Sequence, residues 1–559
     1  MASHAPLFTA WMNTFFESYY RSHPVNATFI GVHDHDYRLP DFSENGAGDT
    51  LAEMETLLER LGVLPQESLS TFERIDQTLA QGFLKIQVWE VRSNHFQRGN
   101  PSTYTGEAIF GLLSLFLTPF APLEERVEAA IARMQAIPGF LEQARLNIRQ
   151  APVAWTQRAI RECQGALAFL EQGLPYLIQT EGIRDPRFEL AAHKTALAFA
   201  DYQSYLRDDL TFHSSGDYAC GEQAFDLLMH WGHLLDVDGE ATLKYARQQL
   251  EETQAYLEQH AADFGATTPE QALARLAEFH PTQEGYADRY RELWEAARQF
   301  AETRKLLTWP DFPILYVPQP QWARQAAPFL YFLFYRSPAA FNRPSVHHYL
   351  VTPIEAGLPS EEQERLLRET NDSVIKLNHV VHHGGIGHHV QNWHAYRSPS
   401  RIGQVAAVDC ASRIAMFCGG TMAEGWAVYA TELMAEAGFL TALERYSESQ
   451  SRRRMCARAI VDVCLHQGRF SLEEAARFYE ERAGMPTASA WNEAVKNSMF
   501  PGAAMMYLVG SDRIRQLRQH LSTRTDPFSI GEFHDRFLSF GSVPVELIAR
   551  EMEKEALGA

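Results

Sequence analysis

ATLKYARQQLEETQAYLEQ (residues 241–259) sets Leu243, Ala246, Leu250 and Leu257 three, four and seven residues apart, with Lys, Arg, Gln and Glu between them. That spacing repeats with the helical turn and predicts an amphipathic helix with one buried face. The same reading applies to LAEMETLLERL (51–61), RVEAAIARMQAI (126–137) and YRELWEAARQFAETRKLL (290–307). From residue 50 to 305 the pattern is therefore helical almost throughout. Alternating strand and helix units are absent, which excludes a doubly wound sheet. No Walker loop, complete Gly-x-Gly-x-x-Gly fingerprint or Gly-x-Ser-x-Gly elbow occurs.

The texture changes between Pro310 and Pro353, where prolines interrupt aromatic and branched residues in PILYVP and HHYLVTP. This reads as loops and short edge strands forming a cleft wall. Helical periodicity resumes from about Ser360. The expected fold is mainly α and two-lobed, with a small antiparallel sheet beside a central cleft. The expected segments are an N-terminal helical lobe (1–309), a proline-rich wall (310–359) and a C-terminal helical lobe (360–559).

Composition narrows the function. The 559 residues are 45% hydrophobic and 21% charged, the composition of a globular chain with a large core. A formal charge of -20 repels phosphate backbones and anionic membranes, so neither nucleic acid nor membrane is an expected partner. The first residues lack the basic and continuous apolar segments of an export signal; Phe8, Trp11, Phe15 and Tyr19 instead fall at helical spacing before Pro24. A cytoplasmic location is expected. The six cysteines form no Cys-x-x-Cys pair and are too sparse for a disulfide framework, which makes them reduced core residues.

Chemistry concentrates further on. His379, His382, His383, His388, His389 and His394 lie within sixteen residues. Neutral imidazole is the commonest side-chain metal ligand, so a metal site is the leading hypothesis. On an unbroken helix His382 and His388 would point in different directions, because six residues is not a whole number of turns. Gly384, Gly385 and Gly387 allow a break that brings His388 back toward His382, with His389 the competing second ligand. Glu424, a carboxylate in the apolar stretch EGWAVY, is the candidate third ligand, since a cation would neutralise its buried charge. The HDHD run at 33–36 is also rich in ligand atoms, but adjacent residues rarely converge on one ion, and a structural role is expected.

PVNATFIGVHDHDYRLPD (24–41), FPILYVPQP (312–320), YRSPAAFNRPSVHHYLVTP (335–353), HHGGIGHHVQ (382–391), EGWAVYATELM (424–434), FPGAAMMYLVG (500–510) and FHDRFLSFGSVPVELI (533–548) together resemble domain-of-unknown-function family 885. The resemblance runs nearly end to end. Members of that family are regarded as zinc metallopeptidases of the helical, glutamate-zincin kind. It implies metal ligation by His382, His388 and Glu424, with zinc the first expectation and iron or manganese the alternatives. The family block reads His-Glu-x-x-Pro-Gly-His-His, whereas this chain has His383 for the glutamate and Ile386 for the proline. His383 is then a replacement base, an additional ligand, or part of a centre that binds without turnover.

The resemblance further implies a hydrolase acting on peptide or other amide bonds in short peptides or modified amino acids, using water activated by the metal. A non-hydrolytic metalloenzyme and a non-catalytic binder are the alternatives. Tyr507, in the family-like FPGAAMMYLVG segment, is the candidate donor to the substrate oxyanion. Arg336 and Arg343, in the proline-rich wall, are candidates for binding a substrate carboxylate.

Overall fold

The computed structural model describes residues 5–64, 69–216, 218–330, 337–407, 414–524 and 527–557. Helices dominate it, as the periodicity predicts. The chain forms two compact units, one of residues 1–218, 319–333 and 338–344, the other of 219–318, 334–337 and 345–559. Helices beyond Ala219 that the sequence groups with the N-terminal lobe thus belong with the C-terminal ones. Among the described residues no helix is long and apolar enough to cross a membrane.

In the first unit, α1 (Ala5–Ser22) buries Trp11, Phe15 and Tyr19 and is followed at once by α2 (Pro24–Ile30). The main core lies among α3 (Pro101–Leu117), α4 (Leu123–Asn147), α5 (Val153–Ala168) and α6 (Pro186–Asp208). Tyr104, Leu112, Met134, Phe140, Phe188 and Phe199 fill it. One buried cation ties its parts together. Arg133 on α4 donates to the carbonyls of Arg38 (3.0 Å), Gly111 (2.5 Å) and Pro24 (3.3 Å) and to Thr28 Oγ1 (2.7 Å). Thr28 donates to Asp36 at 2.6 Å, and Asp36 also pairs with His33 Nδ1 at 2.9 Å. Asp36 of the HDHD run therefore serves this scaffold.

In the second unit, α7 (Gly239–His260) carries the opening stretch and starts on Asp238, whose side chain accepts from the Ala241 N–H. Leu243, Ala246 and Leu250 pack against Cys456, Ile460 and Val463 of α12 (Ala442–His466). This apolar contact, rather than chain proximity, decides which unit α7 joins. Next come α8 (Tyr286–Thr303), β1 (Ile314–Pro318) and β2 (His347–Val351). The two strands pair in parallel, Tyr316 opposite Tyr349, which corrects the antiparallel expectation. No tight hairpin turn joins them; the long connection, with its own short helix at Gln321–Arg324, makes the crossover that parallel pairing requires.

Then follow α9 (Ile375–Gly384), α10 (His388–Ala395), α11 (Gly420–Ala437), α12, α13 (Leu472–Ala483), α14 (Thr487–Met499) and α15 (Met506–Ser522). No disulfide forms among the described cysteines, of which Cys163, Cys418, Cys456 and Cys464 are buried; Cys410 lies outside the described residues.

Glu448 of α12 supplies a pH-dependent test of this packing. Burial first, then the neighbouring Glu432 of α11, push its carboxyl up to about 8, against Arg452 and Arg515. A folded pKa above the unfolded value of about 4.3 favours the fold at low pH, and that contribution is lost as pH rises toward and through 8. Thermal unfolding between pH 5 and 9 should show melting temperature falling on the alkaline side. Glu448→Gln should flatten that fall and melt higher than wild type at pH 9. Parallel profiles for the two proteins would count against it.

Candidate metal centre

The histidine-rich segment is not an ordinary helix. α9 is π-helical, so its turns are wider than those of an α-helix. It stops at Gly384, and after Gly385–Gly387 the chain re-enters helix at His388. The Gly387 N–H bonds back to the Val381 carbonyl at 2.9 Å, which folds the break tightly. A Cβ on Gly387 would lie 1.9 Å from the His382 carbonyl oxygen, and one on Gly384 would lie 2.1 Å from Tyr316 Oη. No other residue type fits either place without moving its neighbours.

Two carbonyls exposed by the break receive indole donors. Trp294 Nε1 on α8 donates to Gly384 at 2.7 Å, and Trp426 Nε1 on α11 donates to Ile386 at 2.9 Å. The parallel strands hold the preceding turn, since Tyr316 Oη donates to the His379 carbonyl at 3.1 Å and Tyr349 Oη lies 2.5 Å from His379 Nδ1.

The result is a convergence of side chains. Ligand atoms of His382, His383 and His388 all lie within 4.8 Å of one another. Glu424 Oε2, on α11, is 3.6 Å from His388 Nε2 and 3.8 Å from His382 Nε2. These gaps are too long for hydrogen bonds. They are close to the ~3.4 Å edge of a tetrahedron whose ligands stand ~2.0–2.1 Å from a central ion. His383 Nδ1–H donates to the Asn378 carbonyl at 2.7 Å, which leaves the lone pair on Nε2.

Burial, reinforced by His383 and His388, holds His382 well below the ordinary histidine range, with Glu424 opposing and Arg458 adding to the effect. His382 is therefore neutral at neutral pH, the form that donates to a metal. Glu424 is only 5% exposed. Imidazole lone pairs and a buried carboxylate converging at ligand spacing form a donor set that fits a zinc-like divalent ion.

His389 is wholly buried, with Nε2 2.8 Å from the Phe312 carbonyl and its ring stacked on Phe312, so that nitrogen is occupied outside the cluster. Arg343 is exposed and belongs to the first unit. Arg336 lies outside the described residues.

Tyr507 lies on the first turn of α15, which packs closely against α11. A Cβ on Gly425 would meet Gly510 Cα at 2.5 Å, and one on Gly420 would strike the Met506 side chain. Contacts at Gly420, Thr421 and Gly425 thus set the turn bearing Tyr507 alongside the turn bearing Glu424.

Two further residues position this region and were missed from the sequence. Asp462, fully buried on α12, accepts from the Gly502 and Met505 N–H groups at 3.0 Å each and anchors the loop entering α15. Burial pushes its carboxyl up to about 7 against those bonds. Its signal was a lone carboxylate in the apolar run AIVDVCL (459–465). Arg458, one turn earlier, places its guanidinium 4.9 Å from the centre of the Tyr507 ring. Nothing in its local sequence marks that role.

With this geometry in place, the chain is seen to belong to the family described as bacterial protein of unknown function (DUF885), whose model matches residues 24–552. No curated protein matches it. Two solved structures resemble it over its whole length. One, a candidate lipoprotein of unknown function from Shewanella oneidensis, is 22% identical with a TM-score of 0.78, covering 98% of this chain and 99% of its own. The other, a candidate lipoprotein from Colwellia psychrerythraea, is 15% identical with a TM-score of 0.76, covering 100% of both chains. At these identities the likeness establishes the fold alone.

Proposed function

We propose that the chain binds one divalent metal ion, zinc in the first instance, and hydrolyses peptide or other amide bonds in short peptides or modified amino acids. In this reading the helical scaffold is of the glutamate-zincin kind. The observation that carries it is the convergence of His382, His383 and His388 with Glu424 Oε2 at ligand spacing. A bound ion would supply Lewis acidity toward a carbonyl oxygen and acidify water.

The chain's own residues do the rest. His382, His388 and Glu424 hold the ion, and burial of Glu424 limits competition from solvent. Tyr507 donates its hydroxyl proton toward the oxyanion that develops on the substrate carbonyl. His383 Nε2, with its lone pair fixed by the Asn378 bond, accepts the proton of the attacking water.

One observation favours a second reading. His383 lies within the same cluster of ligand atoms, so it can complete a three-histidine, one-carboxylate set suited to iron or manganese and to non-hydrolytic chemistry. Zinc-reconstituted protein screened against a library of short peptides and N-acyl amino acids, with amine release as readout, separates the two. Turnover that falls by about 100-fold or more in His383→Gln, with zinc content unchanged, supports the base. Loss of metal in His383→Gln, together with iron or manganese in the native protein and no amine release, supports the ligand. For location, the expected cytoplasmic placement stands against an envelope placement suggested by the relatives' lipoprotein names, and cell fractionation decides it.

A further inference from the structure

A molecule of net charge -20 has few places to receive an anion, yet one lies against Tyr507, whose helix packs on that of Glu424. On α12, Arg454 and Arg458 stand four residues apart on one face, and both feel the charge of Glu493 on α14. Arg458 Nε donates to Glu493 Oε1 at 2.8 Å. Burial alone would raise the Glu493 carboxyl, but Arg458 first and then Lys496 hold it down to about 2, so it stays ionised and keeps the guanidinium in place. The carboxylate thus serves chiefly to fix Arg458.

The fork of Arg458 is only partly used. Beyond Glu493, Nη1 meets the weak acceptor Met455 Sδ at 3.5 Å, and Nη2 hydrogen-bonds to nothing among the described residues. Arg454 likewise makes no hydrogen bond there. The Arg458 side chain is 21% exposed, so a ligand can reach it. Its guanidinium lies against the Tyr507 ring, on the turn that α15 sets beside Glu424. Its charge is also felt at His382.

We infer that Arg458, with Arg454 beside it, receives a free carboxylate of the substrate, while Glu493 holds the guanidinium fork toward the centre. The preferred substrates are then amides bearing a carboxylate close to the scissile bond, such as dipeptides and N-acyl amino acids, and not internal bonds of long chains. This specificity rests on the hydrolase reading, and its test separates the two.

The probes are two hydroxamates that carry their own metal-binding group: N-hydroxysuccinamate, with a free carboxylate, and the corresponding primary amide. Calorimetric titration of zinc-reconstituted wild type should give about tenfold or tighter binding of the acid over the amide, a preference of the size expected for a charge-assisted, bidentate bond. Arg458→Gln should bring the two affinities together while zinc content stays unchanged. Arg458→Lys, which retains a cation for Glu493 but lacks the fork, should fold normally and keep part of the preference. A purely structural Arg458–Glu493 pair would alter stability and leave the acid-to-amide ratio intact. Equal binding in wild type with zinc present, or an undiminished ratio in Arg458→Gln and Arg458→Lys, overturns the carboxylate receptor alone. A wild type that takes up no zinc overturns the metal centre, and the receptor falls with it.

Discussion

Protein purified without an affinity metal column should carry close to one equivalent of a divalent metal, and His388→Ala and Glu424→Ala should carry almost none. The expected loss is large because each substitution removes a direct donor. Even the outer partners of metal ligands commonly contribute 10- to 100-fold in affinity, and a lost ligand should cost about 100-fold or more. Glu424→Ala also removes the anionic member of the proposed donor set, leaving neutral imidazoles to hold a dication. Elemental mass spectrometry reads the outcome, with circular dichroism to confirm that each variant remains helical. Zinc in wild type and not in the variants supports the hydrolase reading, iron or manganese shifts the weight to the second reading, and metal retained in both variants would rule out this donor set.

The second large effect is structural and belongs to the first unit. Arg133→Met should destabilise the protein by roughly 3–5 kcal/mol, the usual result of removing one partner from a buried charged network. Arg133 is fully buried, and its guanidinium bonds α2, α3 and the 38–41 segment to α4. Methionine fills similar volume but leaves the carbonyls of Pro24, Arg38 and Gly111 without those donors and Asp36 without a nearby cation. The loss is a large share of the ~5–15 kcal/mol that holds a typical domain folded. Urea unfolding should show the transition moved to clearly lower denaturant, with Arg133→Lys between the two because it keeps the charge and loses the fork. A midpoint unchanged in Arg133→Met would refute the account.

The helices were legible because amphipathic periodicity is local, and α7 buries the face its spacing marks. The direction of the strand pair was not, since side-chain pattern in PILYVP and HHYLVTP says nothing about which way the chain returns. Membership of the two units was equally hidden: it depends on Leu243 and Leu250 meeting Ile460 and Val463, more than two hundred positions away in sequence. At the site, composition alone pointed to the histidines, and three glycines pointed to the break. What the break does to His383 needed the geometry, as did the indole bonds from Trp294 and Trp426. Arg458 carried no local mark because its meaning comes from Glu493 and Tyr507, on other helices.

The π-helical turn of α9 makes the centre sensitive to chain length as well as to residue type. A wider turn accommodates one residue more than an α-helix would over the same rise, and His382 and His383 sit at its end. Removing one residue between Asn371 and His379 is absorbed as the wide turns close to α geometry over the same rise, whereas one residue added to turns already wide rotates everything after it by about 100°, the turn of one helical residue. After such an insertion all the histidines would still be present, yet His382 would no longer face Glu424. A single-residue insertion in this segment therefore dismantles the centre while leaving every ligand in the sequence.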